Sequence, residues 1–288
     1  MKAFIVLGLI DGVVYGLLAT GLVLVYKGAR VFNFAQAEFG TVAAFLAYWM
    51  FEKQHMPYWL SDVLAVLVVG VLGFLLERLI VRRLFNAPRV TLLVATAGIA
   101  LALIQLEIII AGANAVPLRP AIQGVGVSLL GLIVTPQQLL TFVALVALGL
   151  AMGYFFSRTD LGLAVLATSQ EPVATELVGI GTRRMSSFIW TMAAVLGGIG
   201  GILIGAGGSI FPSFMTTSYL LGAFTAAVVG GIDSLPGAFV GGVVIGLTRD
   251  LGGYFLPKTL PGGPNLLVFA VLVLILLVRP QGLLGAKA

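Results

Sequence analysis

Residues 185–232 read MSSFIWTMAAVLGGIGGILIGAGGSIFPSFMTTSYLLGAFTAAVVGGI, 48 positions without one Asp, Glu, Lys or Arg. A helix rises about 1.5 Å per residue and the hydrocarbon of a bilayer is about 30 Å thick, so a spanning helix takes about 20 residues. The stretch is long enough for two. Residues 121–157 and 259–278 are likewise uncharged. These runs are continuous rather than alternating, which favours helices over a transmembrane barrel. Across the chain 60% of residues are apolar and 9% charged, with a mean hydropathy of +1.13; soluble domains carry about 25% charge. That excludes an ordinary soluble domain, a disordered chain and a coiled coil. The expected fold class is an all-α polytopic membrane protein.

Spans are predicted at 3–26, 33–51, 60–80, 90–112, 135–156, 187–207, 217–231, 236–252 and 265–279. The pair 217–231 and 236–252 is interrupted by Asp233, Ser234 and Pro236. It reads either as two spans or as half-helices meeting inside the protein, giving eight or nine helices. The first run resembles a signal peptide, but Asp11 interrupts it and no small-x-small site follows, so a retained span is expected. Loop charges divide between the two sides. Lys27, Arg30, Arg78, Arg82, Arg83, Arg89, Arg158, Arg183, Arg184, Arg279 and Lys287 fall on one, and Lys2, Lys53, Arg119, Arg249 and Lys258 on the other. The richer side is cytoplasmic, which predicts an outside N-terminus and a cytoplasmic C-terminus.

The chain has no cysteine and one histidine, His55. Thiolate metal sites and cysteine nucleophiles are excluded, and a serine protease would lack a base. No catalytic residue and no metal ligand is assigned. The basic residues are scattered between apolar runs, so no nucleic-acid face is expected. No G-x-x-x-x-G-K-[ST] loop occurs; no cofactor is expected on this chain.

The 38 glycines in 288 residues are nearly twice the usual ~7%, and many recur every fourth position. Gly8, Gly12 and Gly16 share one face of the first span; Gly197, Gly201 and Gly205 share one face of the sixth. Small residues let helices approach in lipid. Two readings stay open, packing within the chain or a seam with a second membrane subunit.

The longest hydrophilic stretch, 158–184, falls on the cytoplasmic side and contains TSQEPVATELVGIG at 168–181. Ser169 as N-cap would place Pro172 in the first turn; alternatively Thr168 caps and Glu171 closes a capping box. Gly179 and Gly181 fit the stop. A helix of about nine residues is predicted, with Val173, Leu177 and Val178 as an apolar stripe. It is marginal alone in water and must dock, either on the chain's own spans or on a cytoplasmic partner.

Several stretches resemble the branched-chain amino acid permeases of the ATP-binding-cassette importer superfamily, in family order. They are GVVYGLLATGLVLVY at 12–26, RVFNFAQAEF at 30–39, ATSQEPVATELVGI at 167–180, GGIDSLPGAFVGG at 230–242 and RPQGLLG at 279–285. The chain departs from the family pattern at Gln36-Ala37, where histidine-glycine is usual, and at Asp233, where glycine is. The resemblance implies a single permease domain over 1–288 in a bacterial inner membrane. It implies a homologous second permease subunit, two ATPase subunits that bind the ATP, and an extracytoplasmic substrate-binding protein. It assigns 158–184 as the coupling loop, with Ser169, Glu171, Pro172, Ala174, Leu177 and Gly179 facing an ATPase. The solute expected is an apolar amino acid; urea, short amides or other amino acids stay open.

Charges within spans are costly. Asn33, Gln36 and Gly40 are expected on one face of a helical second span and Glu38 and Thr41 on a neighbouring one. They form either a polar patch on the path or subunit seam, or a structural knot near the cytoplasmic end with Lys27 or Arg30. Glu107 is expected to snorkel outward, Asp11 to be structural and Asp233 to sit in a turn. Thr91, Thr96 and Thr225 are expected to bond their own helices. The rival function is an ion-coupled carrier or channel, for which Glu38 would be the main carboxylate.

Overall fold

The computed structural model describes residues 1–85, 87–129, 132–256 and 262–285. Lys258 and Lys287 lie outside the described residues. The helices are α1 (Lys2–Ala29), α2 (Glu38–Tyr48), α3 (Tyr58–Leu79), α4 (Arg89–Ala111), α5 (Pro136–Arg158), α6 (Asp160–Gln170), α7 (Pro172–Leu177), α8 (Thr182–Gly205), α9 (Leu221–Gly230), α10 (Leu235–Phe255) and α11 (Gly263–Val278). Every predicted span overlaps a helix. Among the described residues five helices, α1, α3, α4, α5 and α8, are long and apolar enough to cross a membrane unaided. The others are shorter or carry charge. α2 and α9 gain a π-helical turn each, at Trp49–Lys53 and Thr216–Leu220, and α10 carries Arg249 and Asp250.

Residues 1–23, 120–150 and 219–288 form one compact unit, and 24–119 with 151–218 another. In the first, α1 and α10 run antiparallel. Gly8, Gly12 and Gly16 descend α1 while Gly246, Gly242 and Phe239 ascend α10 against them, and a Cβ on Gly12 would stand 2.8 Å from the Val243 Cα. Without side chains between them the backbones meet, and dispersion contacts replace the hydrophobic drive that lipid does not supply. The 217–252 region is two helices in an antiparallel hairpin. Ser234 Oγ accepts from Gly237 N–H at 3.0 Å, capping α10 with Pro236 in its first turn, and Gly230 meets Gly237 while Gly241 meets the Ala226 carbonyl. Asp233 lies in the turn. A short hairpin, β2 (Val127–Leu129) with β3 (Leu132–Val134), belongs to this unit.

In the second unit α8 is central. α2 runs parallel to it, Gly40 against Gly201 and Ala44 near Gly205, and α3 runs antiparallel, Gly73 against Ala194 and Val69 near Gly198. Phe39, Ala43, Val69, Ile99, Leu103 and Ile202 form the apolar core between α2, α3, α4 and α8. β1 (Val116–Pro117) pairs with β4 (Ser209–Ile210). Each of these directions is the one that nine alternating spans require.

Two expectations need correction. The second span is not helical from residue 33, since α2 begins only at Glu38. Asn33 Oδ1 accepts from Ala35 N–H at 3.0 Å, a side-chain turn that competes with the helix. The hydrophilic stretch also holds a helix the sequence reading lacks, α6. Its Thr159 cap accepts from Gly162 N–H at 3.1 Å, and Gly162 lets the chain fold back against the Phe155–Phe156 backbone.

Candidate functional site

The 158–184 stretch is built from the end of α5, α6, α7 and the start of α8. Neither Ser169 nor Thr168 caps a helix, and no capping box forms. Both hydroxyls bond back within α6, to the Leu166 carbonyl and the Ala164 carbonyl, each at 2.7 Å. α6 runs on to Gln170, so the residue flanking α7 is Glu171, with no side-chain cap. Pro172 takes the first position of α7, where its missing N–H costs nothing. The helix has six residues rather than nine. It stops where Gly179 adopts φ +88°, a conformation that favours glycine.

Six residues do not hold a helix by themselves. Thr175 is the buried residue of α7, and its hydroxyl bonds the Glu171 and Pro172 carbonyls at 2.9 Å. Glu176 bonds Thr182 at the head of α8, and Arg30 Nη2 donates to the Ser169 carbonyl at 2.8 Å. With one side pinned to the chain, the other is bare. Val173, Leu177 and Val178 are 72%, 84% and 75% exposed, and Glu171, Ala174 and Gly179 are exposed beside them.

Residues 30–37 enter the second unit as irregular backbone, with Val31, Asn33 and Ala35 to Ala37 buried. α2 starts beside Gly197–Gly201 of α8, roughly 22 Å along that helix at 1.5 Å per residue. Non-helical backbone at such depth must be enclosed by protein. Here Gln36 Nε2 donates to the Ala193 carbonyl at 2.8 Å. Thr96 accepts from Phe34 N–H at 3.3 Å as well as donating to Leu93 in its own helix at 2.9 Å. Thr96 therefore does more than the expected local bond.

Glu38, in the first turn of α2, is fully buried, and its neighbours are Thr216, Glu107 and Thr41 rather than Lys27 or Arg30. Glu107 does not snorkel. It is 4% exposed, and its Oε2 accepts from Ser213 N–H at 3.0 Å. Thr41 Oγ1 accepts from Met215 N–H at 3.1 Å. Two side chains from α2 and α4 thus hold the 213–215 segment. Asn33 Nδ2, Gln36 Oε1 and both Glu38 oxygens are buried without a hydrogen bond of regular geometry.

Two polar knots escaped the sequence reading. Glu77, fully buried at the end of α3, takes Arg82 Nη2 at 2.9 Å and the Ser187 hydroxyl at 2.7 Å. An acid inside an apolar run beside a basic cluster was the available signal. Arg82→Ala should cost about 3–5 kcal/mol, because it leaves a buried carboxylate without its cation. The unfolding midpoint of the purified protein measures this, and an unchanged midpoint would refute the knot. In the first unit Arg249 bonds Tyr15 at 2.5 Å and pairs with Asp11 at 3.4 Å, which gives Asp11 its structural partner.

The family described as branched-chain amino acid transport system, permease component, matches residues 4–278. The chain belongs to that family. This permease is 28% identical over 291 residues to the high-affinity branched-chain amino acid transport system permease protein LivH of Escherichia coli K12, covering 96% of this chain and 93% of that protein. It is also 28% identical to the permease protein BraD of Pseudomonas aeruginosa, covering 96% and 94%. Among solved structures it is similar to PsaBC from Streptococcus pneumoniae in complex with Fab, at a TM-score of 0.55, 14% identity and coverage of 96% and 91%. That likeness shows a shared fold. The permease is a multi-pass membrane protein and a transport subunit.

Proposed function

We propose that this permease is the membrane subunit of an ATP-binding-cassette importer for branched-chain amino acids. Its N-terminus lies outside and its C-terminus in the cytoplasm. It works with a second permease subunit, two ATPase subunits that bind the ATP, and an extracytoplasmic binding protein. The observation that carries the reading is α7 with the following Val178, a pinned segment showing three exposed apolar side chains at the arginine-rich end of the spans. Ser169, Glu171, Pro172, Ala174, Leu177 and Gly179 make up this lever. An ATPase groove receives it, and its displacement rocks α6 and α8 between inward- and outward-facing states.

The broken start of α2 is the deep polar element of this account. Asn33, Gln36, Glu38, Gly40 and Thr41 border the path that opens as α2 and α8 shift, and their unpaired polar atoms gain partners there. The polar groups at 33–41 suit the ammonium and carboxylate of an amino acid, and the apolar core beside them, with Phe39, Val42 and Ala43, suits an apolar side chain. Uptake of labelled leucine in cells carrying the complete system tests the solute. Excess isoleucine or valine should suppress it, and urea and acetamide should not. Suppression by the amides alone would assign the permease to amide transport.

A further inference from the structure

Two cavities of the second unit run into one another on the α3–α8 surface. One, of about 350 Å³, lies where α3 ends and α8 begins and is lined by Arg78, Arg82, Arg183 and Arg184. The other, of about 290 Å³, is an uncharged groove with Leu67, Gly70, Val71 and Val195 on its walls. Phe74 and Thr191 line both, so the two adjoin as one surface channel, basic at one end and apolar along the other.

The arginines are not equivalent. Arg82 is engaged by Glu77. Arg78, Arg183 and Arg184 have no carboxylate partner among the described residues and are exposed. The Arg78 guanidinium lies 5.8 Å from the Phe74 ring centroid, at the junction of the two cavities. Three unneutralised cations therefore ring the mouth. Gly70 forms part of the groove floor, where α3 packs closely on α8, a Cβ there standing 2.9 Å from the Val195 side chain. Leu67 and Val71, both 57% exposed, form its outer wall. From Leu67 to Phe74 the groove follows roughly 10 Å of helix.

We propose that this channel binds one anionic diacyl phospholipid. Its phosphate sits among Arg78, Arg183 and Arg184, and one acyl chain lies in the groove over Gly70. Basic pockets between helices at the hydrocarbon boundary favour anionic headgroups, and the long arginine stems keep the charge at the interface. The groove distinguishes this occupant from a soluble anion, which has no use for it. The net positive mouth distinguishes it from a zwitterionic lipid. A lipid in this position bridges α3 to the first turns of α8, directly after α7.

The test uses the assembled transporter in detergent, titrated with dioleoyl phosphatidylglycerol, dioleoyl phosphatidylcholine or inorganic phosphate and read by native mass spectrometry. Phosphatidylglycerol should bind at least about tenfold more tightly than phosphatidylcholine, and millimolar phosphate should not displace it. Each of Arg78→Gln, Arg183→Gln and Arg184→Gln should weaken binding about fivefold, and the three together roughly 100-fold. Arg158→Gln, outside the channel, should change nothing. The single variants keep the test open if the triple one fails to assemble. Equal affinity for the two lipids, displacement by phosphate, or full affinity in the single variants would overturn the proposal. So would a lipid that binds the isolated permease but not the assembled transporter, because a protein partner would then cover the face.

Discussion

Gly201→Leu should abolish assembly of the permease in the membrane. A Cβ on Gly201 would land on the Gly40 carbonyl and Cα, so the added side chain meets the backbone of α2. Neither helix is free to retreat. Gln36 ties the approach to α2 onto the Ala193 carbonyl, and Thr41 holds Met215 N–H. Overpacking a core that yields costs about 1–3 kcal/mol; here the α2–α8 backbone contact must part, and the apolar core around Phe39 and Ala43 parts with it. The yield of monodisperse protein extracted from membranes measures this, with Gly98→Leu as its control. Gly98 is exposed on α4, and a Cβ there meets nothing within 4 Å, so that variant assembles normally. Equal yields of the two would contradict the α2–α8 packing.

The largest effect on activity is expected from Leu177→Asp. Leu177 is 84% exposed, so the change costs the fold almost nothing. In an ATPase groove the same residue buries a side chain worth about 1.5–3 kcal/mol, and aspartate would add an unpaired buried charge. Uptake should fall at least about tenfold while the basal ATPase rate of the assembled complex persists. Unchanged uptake would remove α7 from the coupling site.

Periodicity and length made the spans legible, because the cost of leaving backbone unpaired in lipid admits few solutions. The glycine stripes showed which faces come close. The charge pattern said that acids stood within spans without saying where they meet. Glu38 and Glu107 are 69 positions apart in sequence, and their approach depends on a residue-33 turn that delays α2 by five residues. Capping is set by the fold for a similar reason. Ser169 is a good cap in isolation, yet α6 extends through it once Thr159 caps that helix and Gly162 folds it back. Glu77 lies within the 60–80 span, but the sequence does not show that Arg82 and Ser187, 5 and 110 positions away, close on it.

Reconstitution in liposomes tests the central claim most directly. The permease is assembled with its second subunit, ATPases and binding protein, and leucine uptake is followed with ATP, without ATP, and with only a proton or sodium gradient. Uptake should occur with ATP alone and stop when the ATPases are omitted. Accumulation driven by an ion gradient in their absence would contradict the account.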